Sequence, residues 1–148
     1  MRLWRISNYA DLSGQGGLLA EGRWHSMGKP IVYSAESPAG ALIEVLVHLR
    51  RELLPTHIQL IELEIAVDLA SEAVDAAALP PDWMAVPVIS RAAGDQWLTS
   101  NRTLMLRVPS AILPDTWNVL LNPAHSGARY VRIARTTKVP LDPRLGAR

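Results

Sequence analysis

The tightest constraint on this chain is the pair Ser37-Pro38, which fixes where a helix starts directly after a short apolar segment. A serine oxygen accepts one of the orphan N–H groups of a first helical turn, and proline at the first helical position gives up no hydrogen bond. Ahead of that start, Ile31-Val32-Tyr33 is bounded by Gly28-Lys29-Pro30 on one side and Ser34–Pro38 on the other, which predicts a short buried strand. Upstream again, Gly22-Arg23-Trp24 belongs to a loop, and downstream the helix carries Glu44. Arg23, Tyr33 and Glu44 therefore come from a loop, a strand end and a helix, a layout compatible with one shared cleft.

The rest of the chain reads as alternating short elements. Arg2–Ile6 alternates weakly and predicts a first strand, and the glycine-rich segment from Ser7 to Gly22 predicts a long flexible loop. Its Gly14-Gln15-Gly16-Gly17 cluster lacks the third glycine of a dinucleotide fingerprint and no helix is predicted after it, so it reads as a plain turn. The capped helix is predicted over Pro38–Leu54, with Leu42, Val45, Leu46, Leu49 and Leu53 on one stripe and Pro55 ending it. Glu44, His48 and Arg51 fall on the opposite side and, taken alone, read as a solvated face. His57–Ala66 is the longest strand candidate, and its alternation turns Glu62 and Glu64 toward solvent. Leu69–Pro81 predicts a short alanine-rich helix and a Pro80-Pro81 turn. Val88–Thr99 predicts a second helix with Ile89, Ala92, Ala93, Gln96 and Trp97 on one side.

Three more strands follow, Leu104–Val108, Asn118–Leu121 and Tyr130–Ile133, with a polar turn at Asn122-Pro123-Ala124-His125-Ser126. The tail sets Arg129, Arg132, Arg135, Lys138, Arg144 and Arg148 against Asp142 alone, which reads as solvated strand faces. Consecutive strands in the second half favour an α+β class, with a mixed, mostly antiparallel sheet and flanking helices, in one domain over residues 1–148.

Composition removes several function classes. A hydrophobic share of 49% with 20% charged residues is globular, and no apolar run approaches a membrane span. Met1–Arg5 lacks the apolar core of a secretory signal, so a cytoplasmic protein is expected. Cysteine is absent, which excludes disulfides and thiolate chemistry, and a net charge of +1 argues against a dedicated nucleic-acid binder. His25, His48, His57 and His125 lie far apart with no metal-binding spacing; no Gly-x-Ser-x-Gly elbow or phosphate-binding loop is present. Paired-carboxylate chemistry needs two acids, and only Glu44 has a promising context. The residues alone lead to an anionic-ligand pocket. An Arg23–Glu44 salt bridge, a core tyrosine and an ordinary Asn-Pro turn account for the same residues without a ligand.

Several motifs in fixed order carry the reading further. Gly22-Arg23-Trp24 with Gly28 and Tyr33–Ser37, Ala41–Glu44 with His48-Leu49, Gly94–Leu98, Val108–Ala111, Asn118, and Leu121–His125 together resemble the RES-domain toxins of RES–Xre toxin–antitoxin pairs. Two departures are His25, where asparagine is usual, and Gln15-Gly16-Gly17 in place of a glycine-alanine pair. The resemblance implies an ADP-ribosyltransferase-like fold and an enzyme that consumes NAD as glycohydrolase or phosphorylase. The alternatives are a protein ADP-ribosyltransferase with a protein acceptor, or a non-catalytic antitoxin-binding module. It further implies catalytic roles for Arg23, Tyr33, Glu44 and Ser126, with Ser34 and Ser110 as alternative serines. NAD contacts would come from Arg23, Trp24, Tyr33, Ser34, Asn122 and His125. NAD is then substrate and neither cofactor nor metal is implied. The implied partner is an Xre-type antitoxin; a homodimer inside a hetero-oligomer is compatible with it, and direct nucleic-acid or membrane contact is not implied.

Overall fold

The computed structural model describes residues 1–146, the side chain of Arg51 excepted, so Arg148 and any pairing by Arg51 lie outside it. Seven strands form one sheet: β1 (Arg2–Ile6), β2 (Val32–Ala35), β3 (His57–Ile65), β4 (Ser71–Ala73), β5 (Met105–Pro109), β6 (Trp117–Leu121) and β7 (Val131–Pro140). The order is β4-β5-β6-β2-β1-β3-β7, with β4–β5 parallel and every other pair antiparallel. Helices α1 (Gln15–Leu19), α2 (Pro38–Leu46) and α3 (Pro87–Ser100) flank it. The expected α+β class holds. No described helix is long and apolar enough to cross a membrane.

Strand alternation divides the core. Met105, Val119, Leu121, Leu3, Ile61, Leu63 and Ile65 belong to one buried cluster, whereas Leu106, Val108 and Leu120 join Trp24, Ile31, Trp83 and Trp97 in another. Neighbouring residues of β5 and β6 thus serve opposite faces, as a period of two requires. The α3 face is carried by Ser90, Gly94 and Trp97, all buried, with Ala93 half-buried between them. Gln96 and Ala92, expected on that side, are exposed; the helix runs as predicted but its contact stripe is rotated toward the glycine.

Four expectations change. The glycine-rich loop contains the short helix α1, begun by Gly14 in the left-handed conformation at φ 72°. α2 stops at Leu46, where the N–H groups of His48 and Leu49 turn back three residues and tighten the chain, so Leu53 ends up exposed rather than on a core stripe. The alanine-rich segment forms β4 and a 3-10 turn at Ala76–Ala78, because pairing with β5 outweighs local helix propensity. Glu62 is buried: it stands between β1 and β7, accepting from Arg2 Nη1 at 2.7 Å and Arg135 Nε at 3.1 Å. Glu64 pairs with Arg132, so the cationic tail partly neutralises this face. Removing the doubly held carboxylate by Glu62→Ala is expected to lower the urea-unfolding free energy by about 1–2 kcal/mol. Arg2→Ala alone should cost less, since one arginine remains.

The feature that matters for the site is the centre of the sheet. β1 and β2 pair at one position, Trp4 with Ala35, whereas β2 pairs with β6 along its whole length. Beyond Trp4 the strands diverge and leave a gap.

Candidate active site in the β1–β2 gap

A cleft of about 610 Å³ fills this gap, within the size range of small-molecule sites. Its walls come from Trp4–Ile6 of β1, Ile31 and Tyr33–Ala35 at β2, Gly16, Gly17 and Ala20–Gly22 around α1, Glu44 and His48 at α2, and Arg91 of α3. Arg5 is in register with Ile61, on the other sheet face from Trp4, yet it lines the cleft because the strands part there.

Glu44 reaches the cleft because the helix start predicted from Ser37-Pro38 forms: Ser37 Oγ accepts from the Gly40 N–H at 3.0 Å and Pro38 occupies the first turn. Its Oε1 accepts two hydrogen bonds of 2.7 Å, from Ser110 Oγ and Asn118 Nδ2. Both donors are buried, Ser110 at 6% and Asn118 at 9% exposure. The solvated face read from the helix alone is therefore wrong for Glu44. Oε2 has no protein partner among the described residues, so one oxygen is pinned and the other is left for a ligand. Arg23 and Glu44 form no salt bridge.

The Arg23 loop is held at every residue from 22 to 26. Gly22 N–H bonds the His25 carbonyl, closing a tight turn. Arg91 Nε donates to the Gly22 carbonyl at 3.1 Å and its Nη1 pairs with Glu21. Ser90 Oγ donates to the Arg23 carbonyl at 2.7 Å, and Asp95 accepts from both Ser26 N–H and Ser26 Oγ. The Trp24 ring packs 5.6 Å from Trp83 and is 2% exposed. Trp24 thus anchors the loop in the core instead of offering a stacking platform. Arg23 itself stays half-buried, its Nη1 donating to the Met84 carbonyl at 2.7 Å.

Tyr33 presents its ring to the cleft while its hydroxyl points into the loop, accepting from Trp24 N–H at 3.1 Å and lying 2.8 Å from His25 Nδ1. Burial pushes its phenol well above the ordinary range, only partly offset by the Trp24 N–H and nearby Arg91, so it stays protonated. Ser34 lines the cleft but is buried, with Oγ donating to the Val119 carbonyl at 2.6 Å.

The remaining predicted residues lie elsewhere. Asn122, 2% exposed, donates to Asn101 Oδ1 and accepts from Ala124 N–H, holding the turn after β6. His125 Nδ1 accepts from Gly127 N–H to cap the next 3-10 turn, and Ser126 is exposed. None of the three lines the cleft. The Asn-Pro-x-His-Ser turn is held by its own N–H groups and by the end of α3, away from Glu44, and its motif alone does not reveal that.

Sequence reading missed Arg5, Arg91 and Asn118 as site residues, and ranked Ser110 behind Ser126. Arg5 is the least expected: Nη2 makes a long 3.4 Å contact to Ser7 Oγ, and its buried Nε has no partner among the described residues. Burial lowers its pKa, with Asp11 partly opposing. A desolvated guanidinium with unused donors is suited to an anion. No periodicity signals it, since Arg5 occupies a strand position that normally faces the core.

Known proteins give this geometry a context. The family model described as "RES domain" matches residues 2–142. A protein named Toxin Res from Pseudomonas putida is 50% identical over 135 residues, covering 90% of this chain and 92% of its own length. The Prs ADP-ribosylating toxin of Sphingobium sp. is 39% identical over 152 residues, covering 96% and 94%. In structure, the M. tuberculosis MbcT–MbcA toxin–antitoxin complex contains a chain that superposes with a TM-score of 0.75 at 18% identity, over 98% of this chain and 86% of that one. The last match concerns the fold.

Proposed function

This chain belongs to the RES domain family, and from that premise we propose that it is the toxin of a toxin–antitoxin pair and cleaves the nicotinamide–ribose bond of NAD. The observation that carries the reading is Glu44, one oxygen pinned by Ser110 and Asn118 and the other open to a cleft lined by arginines. When the C1′–N bond breaks, its electron pair stays with the nicotinamide nitrogen, which becomes neutral, and positive charge develops on the ribose. The leaving group is already a cation, so it needs no general acid, and the chemistry asks for neither metal nor cofactor. A fixed carboxylate stabilises the developing cation, the kind of preorganised electrostatic effect that dominates many active sites. Arg23 and Arg5 hold the diphosphate, whose oxygens suit guanidinium forks. The Tyr33 ring packs against a base. The ribosyl cation is captured by water, releasing a proton and ADP-ribose, or by phosphate, giving an ADP-ribose phosphate.

A second reading, transfer of ADP-ribose to a protein side chain, is supported by the relative named an ADP-ribosylating toxin. Adenine-labelled NAD, incubated with the protein with and without phosphate and with bacterial extract, separates the outcomes. Free ADP-ribose or its phosphate supports NAD consumption, and label on protein supports transfer. No nicotinamide release under any condition removes both.

Ser110, rather than Ser126, is the serine assigned to the reaction. Ser110→Ala is expected to slow nicotinamide release about tenfold by loosening Glu44, a loss of one hydrogen bond to a charged group. Ser126→Ala should stay within about twofold of the parent, since surface changes away from a site are near neutral. The partner in this reading is an antitoxin, which the toxin–antitoxin complex with this fold supports; its Xre type is what the motif resemblance implies. The net charge of +1 leaves operator binding to that partner in the cytoplasm.

A further inference from the structure

We propose that His25 is a positioning residue that sets the Tyr33 hydroxyl as a fixed peg for the arginine loop. The kinetic half of this proposal rests on the NAD reading above; the structural half does not.

His25 is 3% exposed and bridges two elements. Its Nε2 lies 3.0 Å from the Ala20 carbonyl, and its Nδ1 lies 2.8 Å from Tyr33 Oη. A carbonyl only accepts, so Nε2 carries the hydrogen, and in the neutral imidazole Nδ1 is then the acceptor. Tyr33 must then donate to Nδ1, which leaves its oxygen free to accept the Trp24 N–H at 3.1 Å. Each group in this chain has one role, and the hydroxyl has no hydrogen left for a substrate. Tyr33 therefore acts on the cleft through its ring, and through its hydroxyl it acts on the backbone beside Arg23.

The space around this contact fits a bond of fixed length. A side chain at Gly22 would come within 2.5 Å of Tyr33 Oη and 2.8 Å of His25 Nδ1, so the turn closes over the bond itself. One at Gly17 would meet the Lys29 carbonyl at 2.3 Å and His25 Nε2 at 3.0 Å. The imidazole is thus packed on both sides by backbone that has no room for a substitute contact. Loss of the Nδ1 acceptor strands the buried phenol hydrogen, and the hydroxyl rotates away from Trp24 to satisfy it.

The two nitrogens can be tested separately. In His25→Asn the amide oxygen takes the place of Nδ1 and the Ala20 bond is lost. In His25→Gln the amide nitrogen takes the place of Nε2 and the tyrosine bond is lost. The expected result is that His25→Asn restores most of the function lost in His25→Leu, whereas His25→Gln does not. His25→Gln and His25→Leu should raise KM for NAD about tenfold through misplacement of Arg23, with a much smaller change in kcat. Adding His25→Gln to Tyr33→Phe should cost little more than Tyr33→Phe alone, because both break the same Nδ1–hydroxyl link while the Ala20 bond is kept. Hydrogen exchange at the Trp24 amide supplies a readout that needs no NAD. It should speed about tenfold in Tyr33→Phe, His25→Leu and His25→Gln, and stay near the parent rate in His25→Asn, as loss of one local bond implies. Retention by glutamine with loss in asparagine, or full additivity with Tyr33→Phe, overturns the proposal. If the parent protein releases no nicotinamide, the NAD reading fails and the exchange pattern alone decides the role of His25.

Discussion

Glu44→Gln is expected to reduce nicotinamide release by about 10²–10³-fold, the range found when one preorganised electrostatic group is removed from an active site. Glutamine keeps the side-chain length and keeps an oxygen to accept from Ser110 Oγ and Asn118 Nδ2, both at 2.7 Å in the parent. The fold has little reason to respond, and the unfolding free energy should move by less than about 1 kcal/mol. What disappears is the negative charge facing the cleft. Growth inhibition in cells should vanish with it. Steady-state kinetics on the purified pair, with thermal unfolding as control, checks both halves: a variant retaining a tenth of the parent rate would take Glu44 out of the reaction, and one that unfolds would make it a structural residue.

The second large effect lies away from the cleft. Gly94 lies on the buried face of α3 against the Arg23 loop, and a Cβ placed there would stand 1.7 Å from the Trp24 carbonyl oxygen and 2.8 Å from its carbon. Those are backbone atoms, so no rotamer change relieves the clash; the helix and the loop must separate. Gly94→Ala is expected to destabilise the protein by about 3 kcal/mol, the upper end of ordinary overpacking. Because Ser90, Arg91 and Asp95 of the same helix hold the loop, the displacement also carries Arg23 away and NAD cleavage is lost. Chemical denaturation measures the first effect. A variant of parental stability and activity would show that α3 does not fix the loop. The contrast with Glu44→Gln is useful: one substitution removes activity through charge, the other through stability and position together.

Elements built on local rules were legible in the sequence. The Ser37-Pro38 start, the long strand from His57 and the strands expected at Leu104–Val108 and Asn118–Leu121, which form at Met105–Pro109 and Trp117–Leu121, follow from caps, apolar runs and period. Properties set by distant residues were not. The helical wheel places Glu44 opposite the leucines, but its partners are 66 and 74 positions away in the chain. Alternation gives the face of Glu62 without revealing that Arg2 and Arg135 cover it. Alanine content favours helix over Leu69–Pro81, yet Ser71–Ala73 finds β5 to pair with and only a 3-10 turn remains at Ala76–Ala78. The choice of Ser126 over Ser110 has a similar origin, since chain order does not encode which turn folds back on the cleft. Arg5 went unnoticed because the β1–β2 gap that exposes it is a property of the whole sheet.

The central claim is that one carboxylate, held by a serine and an asparagine above an arginine-lined cleft, breaks the nicotinamide–ribose bond. The most direct measurement is nicotinamide release from NAD by the purified protein, run beside Glu44→Gln at equal folded concentration. The account predicts steady release by the parent and a rate at least about a hundredfold lower in the variant. Equal rates in the two proteins, or no release by a folded parent protein with its cleft free, would contradict it.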